Sequence, residues 1–178
     1  MNTYIALFRG INVGGKNLLP MRELVPLFEA LGMRNVRTYI QSGNVVFEGE
    51  DVHAAKLSDQ IGAAVRKSHG FAPHLIILES EELTEAIASN PYPEAESDPR
   101  TLHLTFLSSV PERPDLEALE SIKRDSERFM LEGKVFYLHA LEGVGRSKLA
   151  SRIEKSLGVA GTARNWRSVC AIEAMATS

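Results

Sequence analysis

The order of apolar patterns along the chain predicts an α+β protein built as two subdomains, residues 1–90 and 91–178. Three observations carry that reading. Strand-like and helix-like runs follow one another as βαββαβ over the first half; a stretch at 91–99 with three prolines breaks the patterning; and a second series, βαββα, follows it.

The elements follow in chain order. The apolar run at 3–8 reads as a strand, and after it comes Arg9-Gly10-Ile11-Asn12-Val13-Gly14-Gly15-Lys16-Asn17, with three glycines within six residues. Pro20 suits the first turn of a helix, which runs over 21–31 with Leu24, Leu27, Phe28 and Leu31 on one face and Gly32 as its stop. Two β-rich runs, 36–40 and 45–47, flank Gln41-Ser42-Gly43-Asn44, whose Gly and Asn suit a hairpin turn. Leu57, Ile61, Ala64 and Val65 mark a second helix ending near Gly70, and 75–78 is the next strand. This is the split βαβ, ferredoxin-like order, which puts the first and third strands side by side at the centre of a sheet.

A helix over 80–90, capped by Ser80, leads to the proline stretch. Beyond it the sequence predicts a strand at 102–107, a helix at 115–124, strands at 128–131 and 135–139, and a helix from Ser147 with Leu149, Ile153 and Leu157 on one face. Thr162 then opens the basic C-terminal helical segment. The second half thus repeats the architecture of the first without its last strand.

With 44% hydrophobic and 24% charged residues in 178, the chain has the composition of a folded soluble protein and not of a disordered one. No stretch approaches the ~18 apolar residues of a membrane span, and no basic leader precedes an apolar run, so a cytoplasmic protein with no membrane partner is expected. The single Cys170 has no internal disulfide partner and reads as a small core residue. The five histidines show no zinc-ligand spacing, and no metal or cofactor is expected. Oligomeric state is not legible.

Charge is unevenly spread. Residues 1–44 hold five Lys/Arg and two Asp/Glu, 45–142 hold nine and nineteen, and 143–178 hold six and two. Basic ends therefore flank an acidic middle, a distribution that the net charge of −3 conceals. The letters Gly10-x-x-x-x-Gly15-Lys16-Asn17 fit the phosphate-binding P-loop except that Asn17 stands where a Ser or Thr hydroxyl binds magnesium, and Leu18 and Leu19 separate the loop from Pro20. A tight structural turn with a solvated Lys16 is the competing reading.

Three runs resemble a known family: Tyr4-Ile5-Ala6-Leu7-Phe8-Arg9-Gly10-Ile11-Asn12-Val13-Gly14-Gly15-Lys16-Asn17, Thr38-Tyr39-Ile40-Gln41-Ser42-Gly43-Asn44-Val45-Val46-Phe47 and Thr162-Ala163-Arg164-Asn165-Trp166-Arg167. They are similar to the signatures of a mainly bacterial family labelled domain of unknown function 1697. The resemblance implies an α+β fold with two subdomains of ferredoxin-like character. It transfers no catalytic residue.

Three predicted helix starts carry cations: Lys16 with Arg22, Arg146 with Lys148 about Ser147, and Arg164 with Arg167 after Thr162. Cations there oppose the helix dipole unless an anion lies between them. That anion is either a bound phosphate or a carboxylate from the acidic middle. The second strand adds Arg37, Tyr39 and Gln41 on one face, a basic, aromatic and amide surface, although the pattern of an RNA-recognition sheet fails at Ser42 and Asn44. Both faces of the first strand are apolar, so a sheet covered on both sides is expected.

The candidate ligand residues are therefore Arg9, Asn12, Gly14, Gly15, Lys16, Asn17, Arg37, Tyr39, Gln41, Asn44, Arg146, Lys148, Arg164, Asn165 and Arg167. The favoured expectation is a non-catalytic binder of a phosphate-bearing small molecule or single-stranded nucleic acid in a basic cleft between the subdomains. The alternative is an enzyme acting on a small phosphorylated metabolite, with Lys16, Arg164 and Arg167 on the phosphate and Asn12, Tyr39, Gln41 or Asn44 near the chemistry.

Overall fold

The structure, a computed structural model, describes all 178 residues. It holds two four-stranded antiparallel sheets, six α-helices and three short 3-10 turns. The chain divides into two compact units, residues 1–85 with 171–178, and residues 86–170.

In unit 1, β1 (Asn2–Arg9), α1 (Met21–Ala30), β2 (Arg34–Tyr39), β3 (Asn44–Gly49), α2 (Ala54–His69) and β4 (His74–Glu79) form a sheet of order β2-β3-β1-β4. β1 and β3 are the central pair, in register Tyr4↔Phe47 and Ala6↔Val45, as the sequence order requires. All of Tyr4, Ile5, Ala6, Leu7 and Phe8 are buried, so β1 is covered on both faces. Tyr4, Phe8, Phe28 and Phe47 pack at 5.0–6.4 Å between ring centroids, and Leu24, Leu57, Ile61 and Val65 deliver the helix faces to the same core. Truncating any one of these rings to Ala costs on the order of 3–5 kcal/mol.

The next helix, α3, spans Ser80–Ala88 with Glu81 and Glu82 in its first turn. The proline stretch is not structureless: it winds into two 3-10 turns, Pro93–Ser97 and Pro99–Thr101, because the prolines hold φ where such a turn needs it.

In unit 2, β5 (Leu102–Leu107), α4 (Leu116–Ile122), β6 (Glu127–Glu132), β7 (Val135–Ala140), α5 (Ile153–Leu157) and β8 (Gly161–Asn165) give the order β6-β7-β5-β8. Leu119, Phe136, Leu138, Leu149, Ile153 and Leu157 form its core, with Phe129 stacked on Phe136 at 5.4 Å. The final helix α6 spans Trp166–Ala176, with Trp166, Val169 and Ile172 buried. No helix is long and apolar enough to cross a membrane.

Three expectations are corrected. The second half does not lack its last strand: Gly161–Asn165 pairs antiparallel with β5, Arg164 opposite Leu104. Thr162 therefore lies in a strand and opens no helix; Asn165 caps α6 instead, its Oδ1 accepting from Ser168 N at 2.9 Å. The helix read from Ser147 begins as turns, with Ser147 Oγ accepting from Ala150 N at 3.0 Å, a 3-10 turn at Ala150–Arg152, and only then α5. Finally, the strand read as 36–40 is Arg34–Tyr39, interrupted by an irregularity between Arg34 and Arg37. Ile40 leaves it at φ +45°, a costly conformation for a β-branched residue, and so Gln41 shares no strand face with Arg37 and Tyr39.

Candidate functional site

In unit 1 the glycine-rich run folds as a small hairpin projecting from the end of β1. Val13 and Lys16 bridge, Lys16 N donates to Val13 O at 3.1 Å and Asn12 N to Asn17 O at 3.1 Å. Gly14 and Gly15 are the two turn residues, at φ +59° and +71°, both in the left-handed region that a two-residue type I′ turn demands. Asn17 Nδ2 donates to Gly10 O at 3.1 Å. The N–H groups of Asn12 and Lys16 are thus spent on the hairpin itself, whereas a P-loop points such groups at a phosphate. Val13, Lys16 and Leu18 are exposed on it.

Asn12 latches this hairpin to the neighbouring turn. Its Nδ2 donates to Leu19 O at 2.8 Å and to Gln41 O at 3.0 Å, while its Oδ1 accepts from Leu19 N at 2.8 Å. Asn44, fully buried, does the same for the turn, donating to Tyr39 O at 2.9 Å and Ser42 Oγ at 3.2 Å. Phe8 N donates to Gly43 O at 2.8 Å. Arg9, Asn12, Gly14, Gly15, Lys16, Asn17, Gln41 and Asn44 are consequently gathered at one end of the unit 1 sheet. Arg37 and Tyr39 are half-buried along β2, and Arg37 Nη1 donates to Ser178 Oγ at 2.9 Å.

The remaining predicted residues belong to unit 2. Arg164 is only 7% exposed; its Nη1 donates to Thr162 Oγ1 at 2.7 Å and Ala163 O at 2.9 Å, and burial pushes its guanidinium down to about 10. Asn165 is half-buried as the α6 cap. Arg146, Lys148 and Arg167 are exposed. None of Lys16, Arg146, Lys148 or Arg167 takes part in an ion pair.

Two clusters were not legible in the sequence. In unit 2, Arg128 reaches Glu94 and donates from Nη2 to His139 Nδ1 at 2.8 Å, with its guanidinium 4.6 Å over the Tyr92 ring. Arg128's hydrogen bond holds the Glu94 carboxyl below its usual range, and burial, reinforced by Arg128, lowers His139. In unit 1, His69 Nε2 lies 2.6 Å from Glu23 Oε2, and Ser68 Oγ 2.7 Å from His69 Nδ1. Ser68 also donates to Ala64 O at 3.0 Å, the ordinary back-bond of a helical serine, so the trio reads as a tie between α1 and α2. The partners in each cluster are 34 and 46 residues apart, beyond any local sequence signal. No three His, Cys, Asp or Glu side chains are gathered as metal ligands.

A family model described as a protein of unknown function, DUF1697, matches residues 1–137. The chain belongs to this family. The matched segment includes the glycine hairpin and the Gln41–Asn44 turn of this DUF1697 protein, while the run 162–167 lies beyond it. Among solved structures, the conserved bacterial protein SP0830 from Streptococcus pneumoniae aligns with a TM-score of 0.71 at 25% identity, over 100% of this chain and 99% of that one. No curated protein matches.

Proposed function

We propose that this DUF1697 protein is a non-catalytic binder of a phosphate-bearing ligand. The observation that carries the reading is that the exposed cations singled out from the sequence, Lys16 in unit 1 and Arg146, Lys148 and Arg167 in unit 2, have no carboxylate partner, and that Arg152 and Lys155 beside Lys148 have none either. Four carboxylates of the acidic middle pair with other cations, in Glu94–Arg128, Asp98–Arg100, Glu120–Lys123 and Glu142–Arg124. These cations are paired with no carboxylate of the chain, which supports the reading that an external anion can bind Lys16, Arg146, Lys148 and Arg167. The strand order β2-β3-β1-β4 supports a ferredoxin-like arrangement for unit 1.

Calorimetric titration of inorganic phosphate, nucleotides and short single strands at two salt concentrations tests the reading. A small phosphate ligand gives a shallow salt slope and a single strand a steep one. Lys148→Ala should cost on the order of 1.5–3 kcal/mol of affinity, the scale of one charge-assisted hydrogen bond. Absence of binding by every probe at low salt and millimolar concentration overturns the proposal.

A further inference from the structure

Unit 2 contains a groove of ≈ 690 Å³ between α4 and the turn that runs into α5, with Asp115, Ala118, Ile122, Lys148, Arg152 and Lys155 in its lining. We propose that this groove is the phosphate site and that its ligand is a nucleoside monophosphate; the inference rests on the phosphate-binding reading and gives it a place and a chemical class.

The groove follows from the pattern of the chain. Residues 148–157 wind continuously, first as turns and then as α5. Leu149, Ile153 and Leu157, spaced by four, are buried in the core. The same winding sends Lys148, Arg152 and Lys155, spaced by four and three, to the opposite, exposed side. Three cations against Asp115 leave the lining at +2. Asp115 is engaged as the cap of α4, its Oδ1 accepting from Ala118 N at 3.0 Å. None of the three cations has an ion-pair partner.

Size and lining select the ligand. The cationic row is roughly 10–14 Å long at the rise of such turns, room for one phosphate group and a body but short for a polynucleotide track. Its volume lies within the ~300–1,000 Å³ of small-molecule sites. The cations line one wall, Ala118 and Ile122 give the other an apolar surface, and Ser156 supplies a hydroxyl, while Ser121 and Ser151 already donate theirs to Ala118 O and Lys148 O at 2.8 and 2.7 Å. A base lies on the apolar wall while the phosphate sits among Lys148, Arg152 and Lys155.

The test titrates adenosine 5′-monophosphate, inorganic phosphate, adenosine and a short single strand into the full chain, with amide shifts followed by NMR. Adenosine monophosphate should bind at least about tenfold more tightly than phosphate, shift amides within 115–122 and 148–156, and lose about tenfold or more with Arg152→Ala or Lys155→Ala. Both residues are exposed and outside the core, and circular dichroism verifies that the variants fold. If phosphate probes bind but these variants bind unchanged, or the shifts fall on the Gly14–Gly15 hairpin, the groove is wrong and the broader phosphate reading survives. Equal affinity for phosphate and adenosine monophosphate, or a preference for the single strand, overturns the nucleotide class. If no phosphate probe binds, both readings fall.

Discussion

Asn12 is the residue on which the unit 1 loop end depends, and replacing it separates hydrogen bonding from backbone strain. Its side chain makes three hydrogen bonds at 2.8–3.0 Å, to Leu19 N, Leu19 O and Gln41 O, while its backbone sits at φ +54°. Each bond contributes about 0.5–1.5 kcal/mol net, and water can replace part of that at a half-exposed site. An alanine in the left-handed region costs a further ~1 kcal/mol, which glycine does not. Asn12→Ala should therefore lower unfolding free energy by about 2–4 kcal/mol, and Asn12→Gly by roughly 1 kcal/mol less. Urea denaturation followed by far-ultraviolet circular dichroism measures both, and hydrogen exchange at the Leu19 amide should lose protection in each variant. An Asn12→Ala protein within ~0.5 kcal/mol of wild type, with Leu19 still protected, would refute the latch.

Further outcomes follow from the same geometry. Gly43→Ala places a Cβ 2.6 Å from both Ile11 Cδ1 and Phe8 Cβ at φ +86°, so a loss of more than ~2 kcal/mol is expected by the same denaturation assay, and a wild-type midpoint would contradict the packing. Gly14→Val, at φ +59° but with open space around it, should cost only the backbone term of about 1–2 kcal/mol. Burial lowers His103 and His139 from the ordinary value of 6.5, with Arg128 adding to the effect on His139. The unfolded chain then takes up protons first as pH falls, so stability is full above about pH 6.5 and declines below it. Melting curves from pH 7.5 to 5.5 should show that decline, reduced in His139→Gln; an unchanged slope in the variant would remove His139 from the account.

How much of this was legible depended on whether a feature is set locally. The β1–α1–β2–β3 order, the stop of α2 at Gly70 and the positive φ at Gly14 and Gly15 follow from apolar period and glycine placement, which act within a few residues. β8 could not be read this way: Gly161-Thr162-Ala163-Arg164-Asn165 has little strand character, and it is a strand because the free edge of β5 accepts it. Ile40 misled for the opposite reason. Its side chain favours a strand, but the Asn44 amide on Tyr39 O and the approach of Gly43 to Phe8 close the turn one residue early. Arg164 read as a surface cation because nothing in Thr162–Arg167 marks alternate residues as buried.

The missing strand, once restored, makes the second unit a full repeat of the first. β1-α1-β2-β3-α2-β4 and β5-α4-β6-β7-α5-β8 have the same element order and the sheet orders β2-β3-β1-β4 and β6-β7-β5-β8 correspond strand for strand. α2 has 16 residues and α5 has 5, and α1 has 10 where α4 has 7. In unit 1 the longer pair is tied by Glu23 and His69. In unit 2 the equivalent helices are shorter, and the turns that lead into α5 carry Lys148 and Arg152 into the groove beside α4. Unit 1 instead varies the plan at its β1–α1 connection, where the glycine hairpin with the exposed Lys16 stands in the position that residues 108–115 occupy in unit 2, so the cation of that connection belongs to a loop that unit 2 builds differently.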